Sequence, residues 1–132
     1  MKKSIICLFV IFLAACKAPT KPSGKLKVVV TTSMLTDLVK NIGADLIEIE
    51  GLMGPGVDPH LYKASDGDVS KLFNADVIFY NGLHLEGKLV VVFEKMDTQK
   101  TTVALGEFLA KEGLIGSDYF ASNYDPHVWF NI

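Results

Sequence analysis

Leu26-Lys27-Val28-Val29-Val30-Thr31-Thr32 is the stretch on which the fold turns. Its β-branched residues run without apolar/polar alternation, the pattern of a strand buried on both faces of a parallel sheet. Ser33 can cap a helix whose Leu35, Leu38, Val39 and Ile42 recur at helical spacing, with Gly43 placed to end it. Leu46-Ile47-Glu48-Ile49-Glu50 then alternates with period two, as a second strand would.

The same alternation of elements continues. Ser65 and Asp68 form a capping-box pattern opening a helix with Val69, Leu72 and Phe73 inward. Asp76-Val77-Ile78-Phe79-Tyr80 reads as the third strand, and Asn81-Gly82 turns the chain. Leu85 to Met96 is the next crossover, with Leu89, Val92, Phe93 and Met96 on one face. Leu89-Val90-Val91-Val92-Phe93 would also serve as a strand, but parallel neighbours need a crossover of this length, so a helix is expected. Thr101 to Leu105 is a fourth strand, Glu107 to Lys111 a short helical turn, and Gly113 to Asn123 loop. The predicted class is α/β: a mainly parallel four-stranded sheet flanked by helices.

Ligands of such sheets gather outside the carboxyl ends of the strands. All three histidines of the chain fall on that edge: His60 after strand two, His84 after strand three, His127 beyond strand four. Two of them sit in the same tripeptide, Asp58-Pro59-His60 and Asp125-Pro126-His127. Each proline fixes its own φ and presses the preceding residue toward extended geometry, so the imidazole is presented from a stiff turn. Neutral imidazole is the commonest metal-ligating side chain, and two on separate rigid segments supply half of a four-coordinate shell. His60 and His127 are therefore the candidate metal ligands. Asp58 and Asp125 are expected to cap their own turns. His84, in Gly82-Leu83-His84-Leu85-Glu86, is expected to support the ligands from outside the coordination sphere or to lie at the surface, rather than to coordinate directly. Glu86 is expected as a first-turn helix carboxylate rather than a catalytic base.

Other chemistries lack their residues. There is no HExxH, CxxC, nucleophile elbow or phosphate loop ending in GK[ST]. Gly51, Gly54 and Gly56 follow a strand, yet Pro55 and the lack of a helix directly behind them spoil a dinucleotide loop. They read instead as turn formers that let the His60 segment lie close to the sheet.

The chain has 132 residues, 49% of them hydrophobic, and a formal charge of −2. That suits one globular domain and gives no electrostatic footprint for nucleic acid. Residues 1–15 read as a secretion signal: basic Lys2 and Lys3, an apolar run to Ala15 shorter than the roughly 20 residues of a membrane span, and small residues before Cys16. Leu13-Ala14-Ala15-Cys16 resembles a bacterial lipobox, which implies cleavage before Cys16 and its acylation. Cys7 would leave with the signal, so no thiol would remain for a disulfide. Residues 16–25 read as a lipidated tether without periodicity, and residues 26–132 as the folded lobe. Two or more acyl chains make a lasting anchor, so the domain would sit on the outer side of a cytoplasmic membrane or in a periplasm.

Together, the lipobox, Val29-Val30-Thr31-Thr32-Ser33, the segment Gly54 to Tyr62, Asn81 to Glu86 and Asp125 to Phe130 resemble one family. It is the solute-binding lipoproteins of bacterial zinc and manganese ABC transporters. The resemblance implies two α/β lobes joined by a long helix, with zinc or manganese held between them and handed to a membrane permease. His60 and His127 match the ligands of the first lobe; the other two, a His or Glu and an Asp, come from the second. The chain ends at Asn131-Ile132, about where the linking helix should begin, and the family usually has Asp at the place of Asn131.

The sequence thus predicts the amino-terminal lobe of a membrane-anchored zinc or manganese binding protein, not an enzyme, its delivery to the permease impaired by the truncation. Two imidazoles alone leave the ion mostly to water, and Trp129 and Phe130 are expected as a partly exposed aromatic pair. The rivals are a metal-independent surface lipoprotein or adhesin, and a metal-dependent hydrolase for which no water-activating carboxylate can be placed.

Overall fold

A computed structural model describes residues 24–130. The proposed signal, Cys16, most of the tether, and Asn131 lie outside the described residues. Four strands alternate with three helices: β1 (Leu26–Val30), α1 (Ser33–Gly43), β2 (Ile47–Gly51), α2 (Asp66–Asn74), β3 (Val77–Tyr80), α3 (Val90–Asp97) and β4 (Thr101–Ala104). The sheet is entirely parallel, in the order β2-β1-β3-β4.

The uninterrupted apolar run of β1 has the expected cause. Val28 and Val30 pack on one face with Leu35 and Val39 of α1. Val29 points to the other, into a core containing Leu72 of α2, Ile78 and Tyr80 of β3 and Phe93 of α3. The result is three layers, with α1 alone on one side. Phe93 is fully buried, its ring centroid 4.7 Å from that of Tyr80. Leu89 to Phe93 therefore belongs to a helical crossover, although its first turn is 3-10 (Gly87–Leu89) and α3 proper starts only at Val90.

Several predicted faces are corrected. The cap of α1 is Thr32, whose hydroxyl accepts from the Leu35 amide; Ser33 is already inside the helix. On α1, Leu38 and Ile42 are exposed, because the helix rests on the sheet through Leu35 and Val39, with Thr36 against Gly51 and Gly43 against Ile47. On α2, Val69 and Phe73 face outward, and the buried residues are Leu72 and Asp68. Val92 of α3 is exposed, whereas Met96 packs partly against the core. A short helix meets the sheet along a strip narrower than its apolar stripe, and periodicity does not say which edge of the stripe is used.

Two polar devices fasten α2. At its start the capping box is complete: the Ser65 hydroxyl accepts from the Asp68 amide, and the Asp68 carboxylate accepts from the Ser65 amide. Tyr62 adds a hydroxyl 2.8 Å from Asp68 Oδ2, tying the end of the His60 segment to this helix. At its end the Lys100 ammonium donates to the carbonyls of Leu72, Phe73 and Ala75. A cation there satisfies orphan acceptors and complements the helix dipole.

Burial pushes the Asp68 carboxyl up, but the hydrogen bonds from Ser65 and Tyr62 and the nearby Lys71 charge outweigh it and leave the group below its ordinary 3.8. It therefore stabilises the fold above the ordinary carboxylate value, and that contribution is lost as pH falls through the lowered one. In urea unfolding, Ser65→Ala should cost about 1 kcal/mol at neutral pH. Asp68→Asn should also destabilise, and its deficit against the natural chain should narrow on acidification; a deficit independent of pH contradicts this assignment.

Candidate metal centre

The order β2-β1-β3-β4 puts a topological switch point between β1 and β3, where the chain leaves for opposite faces of the sheet. The residues just beyond these two strands are Thr31, Asn81 and Gly82. All three donate to the side chain of Glu86. The Thr31 hydroxyl and the Asn81 amide lie 2.7 and 2.6 Å from Oε1, and the Gly82 amide 3.2 Å from Oε2. Glu86 is completely buried. Burial pushes its carboxyl up, against the pull of these donors. Glu86 does stand where the 3-10 turn of the crossover begins, but its carboxylate serves the preceding loop rather than the helix start: the chain inverts through left-handed Gly82, Leu83 and His84, which turns Leu85 and Glu86 inward. Sequence patterning carries no signal for this, since a Glu beside Gly and Lys reads as exposed.

The His60 segment leaves β2 and crosses above the same edge. Gly54 and Gly56 belong to the expected turn, in which the Val57 amide donates to the Gly54 carbonyl. Gly54 and Gly56 face open space, and Gly56 is a turn former with φ +79. The close approach falls at Gly87, where a Cβ would stand 2.9 Å from the His60 carbonyl oxygen and φ is +50.

Both Asp-Pro-His units form the expected turn: Asp58 Oδ1 accepts from the His60 amide at 2.9 Å, and Asp125 Oδ1 from the His127 amide at 3.0 Å. The structure brings the two rings together, with Nε2 of His60 3.3 Å from Nε2 of His127. It does not bring in His84, which is exposed and whose ring makes no hydrogen bond or ring contact with either.

The two histidines are not equivalent. Asp125 Oδ1 also lies 2.5 Å from Nδ1 of His127, so it fixes the tautomer that carries hydrogen on Nδ1 and leaves Nε2 with its lone pair outward. The His127 amide and then its ring hold the Asp125 carboxyl below the ordinary carboxylate range. Asp58 reaches only the backbone of its own turn.

Aromatic rings enclose the pair. Phe120 stacks on His60 at 5.8 Å between centroids and meets His127 edge-on at 5.7 Å. Trp129 meets His127 edge-on at 5.3 Å and is half-buried, so it packs against the site rather than standing free. Phe120 was not foreseen, because it lies in the segment read as featureless loop. That segment is held by a bridge between Gly116 and Tyr124 and by the Asp125 amide donating to the Ile115 carbonyl. The side chain of Phe130 lies outside what is described. Beside Trp129 runs an open groove of about 520 Å³ lined by Leu35, Leu38, Leu105, Leu109 and Val128.

Two nitrogens at the usual 2.0–2.1 Å from one tetrahedral ion stand about 3.3 Å apart, and the ring nitrogens already have this separation. Among the described residues no group of three or more His, Cys, Asp or Glu could hold an ion. The two ring nitrogens thus meet without a third such side chain beside them among the described residues.

Parallel sheet, switch-point crevice and paired imidazoles define an α/β binding lobe. The family model described as zinc-uptake complex component A, periplasmic, matches residues 28–132, and the chain belongs to that family. The manganese-binding lipoprotein MntA of Bacillus subtilis is 50% identical over 108 residues, which are 82% of this chain and 35% of that protein. The manganese ABC transporter substrate-binding lipoprotein PsaA of Streptococcus pneumoniae is 38% identical over an alignment that covers all of this chain and 47% of that one. The solved structure of the periplasmic zinc binding protein TroA from Treponema pallidum superposes with a TM-score of 0.75 at 48% identity, over 81% of this chain and 38% of its own. The chain thus spans between about a third and a half of the length of these relatives.

Asp125→Ala should leave the sheet intact but release the His127 tautomer. In ¹⁵N spectra of the ring nitrogens, the natural chain should show His127 protonated on Nδ1, and the variant a mixture shifted toward hydrogen on Nε2. An unchanged tautomer would remove Asp125 from this role.

Proposed function

We propose that the chain is the amino-terminal lobe of an extracytoplasmic protein that binds zinc or manganese and delivers it to an ABC permease, with His60 and His127 as its metal ligands. The observation that carries this reading is the 3.3 Å between the two Nε2 atoms, reached by rings borne on segments 67 residues apart. Relatives named for zinc, for manganese and for ABC transport support the substrate class and the partner.

The ion is cargo, and the half-site suits that. Asp125 keeps hydrogen on His127 Nδ1, so its Nε2 is free to accept; without an ion, His60 can donate its Nε2 hydrogen across the gap. An ion that takes both nitrogens would replace this hydrogen bond, with the His60 hydrogen then carried on Nδ1. Two ligands leave a zinc shell half filled. The remaining ligands would come from a second lobe closing over the crevice, and Phe120 and Trp129 keep water from the flanks of the pair. The site is read as binding rather than catalytic, since among the described residues the nearby carboxylates are engaged elsewhere: Asp58 with the His60 amide, Asp125 with His127 and Glu86 with the loop amides.

We further infer that residues 1–15 are a lipoprotein signal and that acylated Cys16 anchors residues 26–132 to the outer face of the membrane. Lipoproteins among the relatives support this. Among the described residues no helix is long and apolar enough to cross a membrane, so an anchor would have to lie elsewhere. His84, exposed beyond β3, is left outside the ligand set.

Equilibrium dialysis against Zn²⁺ and Mn²⁺ tests the reading. The natural chain should take up the ion at a single site, and His60→Ala or His127→Ala should each weaken uptake by more than the roughly 10–100-fold that loss of an outer hydrogen-bond partner costs. Uptake unchanged in both variants would favour a metal-independent surface lipoprotein.

A further inference from the structure

The Asp125-Pro126-His127 turn needs a fixed orientation relative to the sheet, and its own hydrogen bonds do not supply one. The His127 amide bonds to Asp125, within the turn, and the Asp125 amide bonds to Ile115, in the preceding loop. The buried link to the sheet is made by Asn81. Its Nδ2 donates to the Pro126 carbonyl at 2.9 Å, across 45 residues of sequence, and to the Gly82 carbonyl at 3.1 Å. Both partners are acceptors, so the amide orientation is determined: the nitrogen must face them. The Pro126 carbonyl belongs to the peptide plane directly before His127, so fixing it aims the Cα–Cβ bond of the histidine.

Asn81 is itself anchored at both ends. Its amide donates to Glu86 Oε1, and its carbonyl accepts from the Gly106 amide at 2.7 Å. A Cβ on residue 106 would stand 2.7 Å from that carbonyl oxygen, so only glycine permits the approach. Asn81 is 1% exposed, and among the described residues its Oδ1 has no hydrogen-bond partner, so its side chain acts here through Nδ2. An apolar residue in its place would leave the Pro126 and Gly82 carbonyls without this donor.

We propose that Asn81, held by Glu86, is the positioning residue that sets His127 opposite His60. It touches neither ring. It acts through the Pro126 carbonyl, converting the rigid end of β3 into a fixed aim for an imidazole carried by a distant loop. The reading rests on the proposal that the two histidines share an ion, but its geometric part can be examined without one.

The test uses Asn81→Asp, which keeps the shape and removes the donor, and Asn81→Ser, which is too short to reach Pro126. In the full chain without metal, nuclear Overhauser contacts between the ring protons of His60 and His127 should be present naturally and lost in both variants. Contacts between β1 and β3 should persist in all three. Visible spectra of Co²⁺ titrations should then give binding about 10–100-fold weaker in the variants, with altered d–d bands. Retention of the ring contact in Asn81→Asp overturns the proposal. So does collapse of the sheet in both variants, since Asn81 would then hold up the fold rather than aim one residue. Loss of the ring contact, with Co²⁺ uptake by the natural chain indifferent to His60→Ala, supports the positioning role and overturns the metal reading instead.

Discussion

A single buried carboxylate holds together the place where this fold divides. β1 and β3 run side by side, and beyond their carboxyl ends the chain departs toward opposite faces, leaving amides and a hydroxyl with no strand partner. Glu86 fills that gap, accepting from Thr31 on one side and from Asn81 and Gly82 on the other. An isolated carboxylate here would be too costly to desolvate. With three donors converging on it the arrangement is satisfied, and removing any member would leave buried groups unpaired. The Glu86 carboxylate thus works as a cross-link between the two loops that border the crevice.

From this cross-link the site is assembled in rigid steps. Asn81 is fixed by Glu86, Pro126 by Asn81, and His127 by its peptide bond to Pro126 and by Asp125. His60 arrives independently, on a segment that continues from β2 and is tied below by Tyr62 to the capping box of α2. The two histidines meet because the strands that launch them are held in one sheet, and each turn is braced by proline and aspartate. Phe120 packs against both rings and Trp129 against His127. The two ring nitrogens, 3.3 Å apart, are thus held from the sheet side by hydrogen bonds within the chain.

Legibility from sequence followed the range of the interaction. Element types and their order could be read because strand, helix and cap signals are local: the β-branched run of β1, the alternation of β2 and the Ser65/Asp68 pair all operate within a few residues. The faces of α1 and α2 could not, since whether Leu38 or Phe73 is covered depends on the width of a neighbouring layer. The inward turn of Glu86 was missed because nothing in Asn81-Gly82-Leu83-His84 announces three consecutive left-handed residues, two of them not glycine. Lys100 capping α2 was equally invisible, being 25 residues or more from the carbonyls it serves.

The repeated Asp-Pro-His by itself determined which residues could act on a metal and that each would be stiffly presented, because proline and aspartate restrain their own neighbours whatever surrounds them. Tertiary structure alone decided that His60 and His127 converge while His84 points to solvent, and that Asp125 but not Asp58 grips its imidazole. Convergence requires two remote segments to be anchored to one edge of one sheet, and those anchors are side chains whose partners lie tens of residues away. No spacing in the chain encodes such distances; only packing does.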